Sequence, residues 1–225
     1  MNIDHVILGA RTIAPLREWL RDAHGLGITD GSPNPDATAS WIVPLDTPRV
    51  QYLELLVVHD ESALAASGFG RLFLERTAHG PAFLNWAVLS DDIDADAARV
   101  KELTGRDPEL LRGESVRADG QTVPWAEAAF AASWETPSRP FFLEYANWPA
   151  RRSRVAGDLA AAGHRVRPTA LAALTVTTAR TDLADWLGTG DLPVATAPPP
   201  PGAPTEAVVS VELTTDDGPL LLEVP

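Results

Sequence analysis

One order of apolar runs is laid down three times along the chain, and any fold has to accommodate it. The run Ile3 to Ala10, IDHVILGA, is apolar at nearly every position, as expected for a strand covered on both faces. Helical spacing follows from Ile13 to His24, with Leu16, Trp19, Leu20 and Ala23 on one side and Gly25 as the stop. After a Gly/Pro/Asn/Asp loop over Gly31 to Asp36 come two strand-like runs, Ser40 to Leu45 and Val50 to Val58. The order returns with FLNWAVLS (Phe83 to Ser90), a helix over Asp94 to Thr104, strands near Glu114 to Arg117 and Thr122 to Ala129, and FFLEYA (Phe141 to Ala146). It returns again with ALTVTTA (Ala173 to Ala179), a helix over Thr181 to Leu187, a strand near Ala207 to Leu213, and LLLEV (Leu220 to Val224). Strand, helix, strands, three times over, predicts an α+β fold of repeated βαβββ modules.

The numbering gives the registers. Ala10-Arg11-Thr12 recurs 169 positions on as Ala179-Arg180-Thr181, which sets Leu174 against His5; His5 to Glu54 and Leu174 to Glu223 then both span 49 positions. Aligning Ile13 with Ile93 sets Asn85 against His5, and Glu144 closes that unit. Each unit thus ends on an apolar-Leu-Glu-apolar strand: YLEL, FLEY, LLEV. Side chains alternate along a strand, so Glu54 shares its face with Tyr52 and Leu56, Glu144 with Phe142 and Ala146, and His5 with Ile3 and Ile7. If the opening and closing strands of two units border one concave sheet, His5, Glu54, Asn85 and Glu144 converge in its hollow.

The repeated units, the opening Asp4-His5-Val6 and the closing YLELL and FFLEY resemble the vicinal-oxygen-chelate superfamily, in particular its glyoxalase-like branch. The likeness covers residues 1–147 well and 169–225 as a degenerate third unit. It implies a cup of curved sheet built from two paired βαβββ modules, as in glyoxalase and bleomycin-resistance proteins. It also implies a divalent metal held by His5, Glu54 and Glu144, with Asn85 as a weak further contact and Glu144 free to move a proton. Asn85 stands where metalloenzymes of the superfamily usually have histidine, so the implied set is one imidazole and two carboxylates. Such a set suits magnesium, manganese or zinc. Glu223 weighs against reading every unit-closing glutamate as a ligand, because its counterpart to His5 is Leu174. The alternative is that His5 and the glutamates hydrogen-bond one another inside the cup.

Composition removes whole classes of function. The chain has no cysteine, which excludes disulfides, thiolate nucleophiles and zinc-thiolate sites. Lys101 is its one lysine, so Schiff-base chemistry is not expected. A formal charge of −13 disfavours nucleic acid and anionic membrane, and the basic run Arg151, Arg152, Arg154 reads as a solvated face. No apolar run spans a bilayer and Met1 leads straight into a strand, so the expected location is cytoplasmic. His24 and His79 precede glycines as helix caps, and His59 and His164 have no telling neighbours. Trp41 and Trp125 fall in strands that border the cup, where their rings can stack on an apolar or cationic ligand; Trp86 should face the other way. The run Pro198 to Pro201 reads as a surface loop within the third unit.

The expected organisation is a two-module domain over 1–147, a connector over 148–168 that turns helical from Arg154 to Ala162, and a third module over 169–225. An odd module either packs on the back of the cup or pairs with its counterpart in a homodimer. The expected function is small-molecule binding in an acidic, tryptophan-bordered cup, carried out either by a divalent-metal-assisted lyase or isomerase or by a metal-free binding or sequestering protein.

Overall fold

A computed structural model of the chain describes residues 1–116, 120–188, 191–199 and 201–224. The first module comprises β1 (Asn2–Ala10), α1 (Ile13–Glu18, continued by a π-helical turn over Trp19–Ala23), β2 (Ser32–Pro33), β3 (Thr38–Pro44) and β4 (Tyr52–Val58). Two helices, α2 (Glu61–Ala66) and α3 (Gly68–Arg76), lead to the second module: β5 (Ala82–Leu89), α4 (Ile93–Thr104), β6 (Leu111–Val116), β7 (Thr122–Ala128), α5 (Phe130–Glu135) and β8 (Phe141–Tyr145). The strand expected to run on to Arg117 meets the boundary of the described residues at Val116. The connector forms α6 (Trp148–Ser153) and α7 (Val155–Ala162). The remainder forms β9 (Pro168–Thr177), α8 (Leu183–Leu187), β10 (Val194–Ala197), β11 (Ala207–Thr215) and β12 (Gly218–Leu222). In the proline run, Pro199 and Pro201 lie outside any strand and Pro200 is outside the described residues.

The two modules make one eight-stranded sheet in the order β2-β3-β4-β1-β5-β8-β7-β6. Within each module the closing strand returns beside the opening one in parallel, β4 beside β1 and β8 beside β5, and the modules join through antiparallel β1 and β5. This central pair carries two bulges. Ile3 pairs Val88 and His5 pairs Ala87, leaving Asp4 unpaired; Ile7 pairs Asn85 and Leu8 pairs Phe83, leaving Leu84 unpaired. A bulge re-aims the side chains around it, and the one at Asp4 acts on the site described below.

The third module keeps the βαβββ order along the chain and changes its pairing. Its sheet runs β10-β9-β11-β12, so the closing strand β12 sits two places from β9. Glu223 lies just past β12 and is exposed. This sheet packs on the back of the cup: Leu174, Val176, Val208, Val211 and Leu222 share one buried cluster with Val6, Leu8, Phe83 and Trp86. Both faces of β1 are therefore covered, as its unbroken apolar run predicts. Trp86 points into that core, away from the hollow, as its place next to Asn85 requires. A second buried cluster, with Ile7, Leu56, Phe73, Leu84, Trp134 and Phe141, lines the other face of the sheet under α2, α3 and α5.

Local chemistry explains how the helices start and stop. The Asp92 carboxylate accepts the Ala95 amide at 3.0 Å to begin α4, and Gly105 ends it in the left-handed region. At Gly27 the backbone passes so close to the end of α7 that a Cβ would stand 1.8 Å from the Ala162 carbonyl oxygen. His164 holds the same junction: its Nδ1 accepts the Gly27 amide at 2.9 Å and its Nε2 donates to the Pro44 carbonyl at 3.0 Å.

Candidate functional site

A hollow of about 540 Å³ opens on the concave face of the eight-stranded sheet. His5 from β1 stands at its floor, and Tyr52 and Glu54 from β4 lie beside it. Phe141, Leu143 and Tyr145 come from β8, Trp125 and Glu127 from β7, and Phe130 from α5. A second hollow of about 350 Å³ adjoins it, sharing Tyr52, Glu54, Ser115 and Tyr145 and reaching Arg151 on α6.

His5 is 3% exposed and held from three sides. Its ring stacks on Tyr52 at 4.7 Å between centroids and meets the Phe141 edge at 5.6 Å. The bulge at Asp4 brings that carboxylate beside the ring, where His5 Nδ1 donates to Asp4 Oδ1 at 2.8 Å. Arg151 Nη2 donates to the other oxygen, Asp4 Oδ2, at 2.5 Å. Burial alone would raise the Asp4 pKa, but the His5 hydrogen bond and the Arg151 guanidinium together hold it below the ordinary carboxylate range. An ionised Asp4 only accepts, so the proton of the neutral imidazole stays on Nδ1 and Nε2 keeps its lone pair. That Nε2 is buried without a hydrogen-bond partner, and its nearest acidic neighbour, Glu54 Oε2, is 3.5 Å away.

Among the described residues no Arg or Lys pairs with Glu54 or Glu127, so only a protonated His5 would offset their charge. Burial raises the Glu54 pKa against the lowering effect of His5. Burial, with Glu54 and Glu109 adding to it, lifts Glu127 to about 7. Burial also raises the Tyr52 and Tyr145 hydroxyl pKa values, so both remain proton donors at neutral pH.

The structure brings His5, Glu54 and Trp125 together and sets the other expected residues elsewhere. Glu144 lies on the opposite face of β8, where its Oε2 accepts the Ile93 amide at 3.2 Å at the start of α4. Asn85 sits on the His5 side of the sheet but is fully buried under α5, its Oδ1 accepting from Ser133 Oγ at 2.7 Å. Trp41, opposite Leu55 on β3, packs on the main core and over Gly31, with its back to the hollow. Strand pairing shows why the register misled. His5 pairs Tyr52, and the matching parallel pair in the second module is Ala87 with Phe141, so the place equivalent to Glu54 belongs to Leu143. The helix-based alignment errs by two positions because the second unit passes from its strand to its helix sooner: Ile13 lies eight positions beyond His5, whereas Ile93 lies only six beyond Ala87.

This geometry bears on the metal implied by the resemblance. His5 and Glu54 are two donors, and the symmetric places opposite them hold Ala87 and Leu143, which have none. Among the described residues no group of three His, Cys, Asp or Glu side chains is placed to hold a metal ion. Magnesium, manganese and zinc ask for several donors converging on one point, and although Glu127 also lines the hollow the described residues bring no such set together, so they do not fit the group.

Sequence reasoning passed over Asp4, Glu127 and Arg151. Glu127 was within reach, since it lies two positions from Trp125 on a strand and shares its face. Arg151 was not, because its partner is 147 positions away.

Comparison with known proteins follows the same line. The family model for the glyoxalase-like domain matches residues 3–190. No curated protein matches the chain. Among solved structures, a hypothetical protein from Staphylococcus aureus has a TM-score of 0.56 at 13% identity, covering 99% of this chain and 85% of its own. A methylmalonyl-CoA epimerase from Streptomyces coelicolor, solved with 2-nitronate-propionyl-CoA, has a TM-score of 0.43 at 17% identity, covering 64% of this chain and 96% of its own. The equivalent epimerase from Mycobacterium tuberculosis has 0.38 at 17% identity, covering 64% and 86%. The first of these shares the fold of this chain, and the paired βαβββ modules form the single curved sheet described above. With the family model spanning most of its length, this chain belongs to the glyoxalase-like domain family.

Proposed function

We propose that the protein binds a small organic molecule in the hollow of the cup, and that it does so without a metal ion as intermediary. The observation that carries this reading is His5 Nε2: a buried lone pair, fixed in direction by Asp4 and Tyr52, with no protein donor to satisfy it. A buried acceptor left empty costs about 1–3 kcal/mol, and a ligand donor recovers that cost. Trp125, Phe130, Phe141 and the two tyrosines supply apolar walls that fit a flat molecule. Site residues in this reading are His5, Glu54, Glu127, Tyr52, Tyr145 and Trp125. A metal-assisted lyase or isomerase on His5, Glu54 and Glu144 is the reading it displaces, because Glu144 faces away.

A second reading, proton transfer on the bound molecule, is favoured by one observation: the oriented Nε2 and a Glu127 carboxyl that titrates at about 7 share the hollow, which suits a base and an acid at neutral pH.

The test is thermal unfolding of chelator-treated protein against a panel of small aromatic compounds. A compound at 100 times its Kd adds about 2.7 kcal/mol. At least one should raise the midpoint of the protein and fail to raise that of Trp125→Ala. If nothing shifts the midpoint until magnesium, manganese or zinc is restored, the metal-free reading is wrong.

A further inference from the structure

The hollow is one-sided in charge. Glu54 and Glu127 line it, Asp36 stands at its edge, and among the described residues lining it the single group that can carry positive charge is His5, whose Nδ1 is committed to Asp4. Among the described residues Arg151 and Arg154 line the adjoining hollow; Arg154 is paired with Asp158, and Arg151 is the buried one. Arg151 is neutralised by Asp4 and lies over the Tyr145 ring at 3.7 Å and the Trp148 ring at 5.2 Å. An anionic group placed by His5 would therefore face two carboxylates with no free guanidinium or ammonium beside them among the described residues. Aromatic rings supply the complementary half of the recognition: Trp125, Phe130 and Phe141 line the hollow and a ring face attracts cations, whereas Tyr52 is already stacked on His5 and Tyr145 already carries Arg151. The upward shift of both glutamates has burial as its largest cause, and a bound cation is the species that would relieve it. The formal charge of −13 adds a field that draws cations toward the chain from solution.

From these features we infer that the ligand is a small organic cation, an amine or quaternary ammonium joined to a flat apolar body, with its charge shared by Glu54 and Glu127 and its body on the aromatic walls. This rests on the reading of the cup as a small-molecule site and narrows it to a chemical class. An amine also supplies an N–H for His5 Nε2; a quaternary ammonium uses the carboxylates and rings alone.

Three probes of one size separate the possibilities by calorimetric titration at pH 8, where Glu127 is ionised: benzyltrimethylammonium, benzyl alcohol and benzoate. The cation should bind about 10-fold or more tighter than the alcohol, a difference of about 1.4 kcal/mol, and benzoate weakest of all. Glu127→Gln and Glu54→Gln, both of unchanged shape, should each weaken the cation about 5-fold or more and leave the alcohol unaffected. Benzoate binding as tightly as the cation, or a cation indifferent to both substitutions, would overturn the inference. If all three bind alike and Trp125→Ala abolishes them, the small-molecule site stands and its cationic character falls. If none binds at millimolar concentration while neutral compounds from the thermal panel do, the cation class likewise falls alone.

Discussion

Replacing Arg151 with methionine tests the buried contact on which the geometry of His5 depends. The Asp4 side chain is fully buried and that of Arg151 is 6% exposed, so neither charge is screened by water. Removing one member of a buried ion pair costs about 3–5 kcal/mol, because the other charge is left uncompensated in a poorly polarisable surrounding. The His5 hydrogen bond to Asp4 survives the change, and methionine keeps much of the stacking on Tyr145 and Trp148, so the lower figure, about 3 kcal/mol, applies. For a chain of this length, 1 kcal/mol moves the unfolding midpoint by about 2–4 °C, which gives a fall of about 6–12 °C for Arg151→Met. The direct assay is guanidinium unfolding of a double-mutant cycle with Asp4→Asn. The double variant should be at least 2 kcal/mol or so more stable than the sum of the two single losses. Acidification adds a check of sign. The Asp4 pKa is depressed in the folded chain, so its contribution is present above the unfolded value and is lost as pH falls through the folded one. Arg151→Met should therefore lose less stability on acidification than the parent. An Arg151→Met protein within about 1 kcal/mol of the parent, or strictly additive losses in the cycle, would refute the reasoning.

Three further outcomes follow from single contacts. Glu127 has a raised carboxyl pKa in the folded chain, so stability should fall as pH rises from the ordinary carboxylate value to about 7 and then level off. Glu127→Gln should remove that slope and be on the order of 1–3 kcal/mol more stable at pH 8, as read by urea midpoints; an unchanged slope would show that the carboxyl titrates normally. Burial lowers the His164 pKa, and both its nitrogens are already bonded, so its contribution is full above the unfolded histidine value and is lost as pH falls below it. His164→Phe should flatten the decline in stability that the parent shows as pH falls below the unfolded histidine value, as read by urea midpoints across an acid series; an equal decline in both proteins would refute it. Gly27→Ala drives a methyl group into the Ala162 carbonyl and should cost about 1–3 kcal/mol in a thermal melt, whereas a variant as stable as the parent would mean the α7 junction yields freely.

What could be read in advance, and what could not, divides along a physical line. Apolar runs marked β1, β4, β5 and β8 because strands buried on both faces leave a continuous signal in the sequence. The connector helix α7 showed itself through alanine and a closing glycine, starting within one residue of the expected Arg154. The face of a side chain depends on register, and a single bulge reverses it. His5, Glu54 and Trp125 face the hollow, while Trp41 has its back to it and Glu144 lies on the helix side of β8, because matching FLEY to YLEL sets Glu144 against Glu54 whereas the strand pairing sets Leu143 there. Arg151 was taken for part of a solvated basic face although its guanidinium is buried against Asp4, since pairing across 147 positions is set by tertiary packing alone. The third module kept its strand order and lost the pairing of β12 with β9, a change in hydrogen bonding that no hydrophobic pattern records.

The central claim is that the cup takes an organic ligand and needs no metal to do it. It is tested most directly by elemental analysis of protein purified without chelator or affinity-tag metals, run beside the His5→Ala variant and followed by benzyltrimethylammonium titration of both. The account predicts less than a tenth of an equivalent of any divalent metal in either sample, with the cation bound by the parent protein. One equivalent of a divalent metal in the parent that disappears in His5→Ala would contradict it.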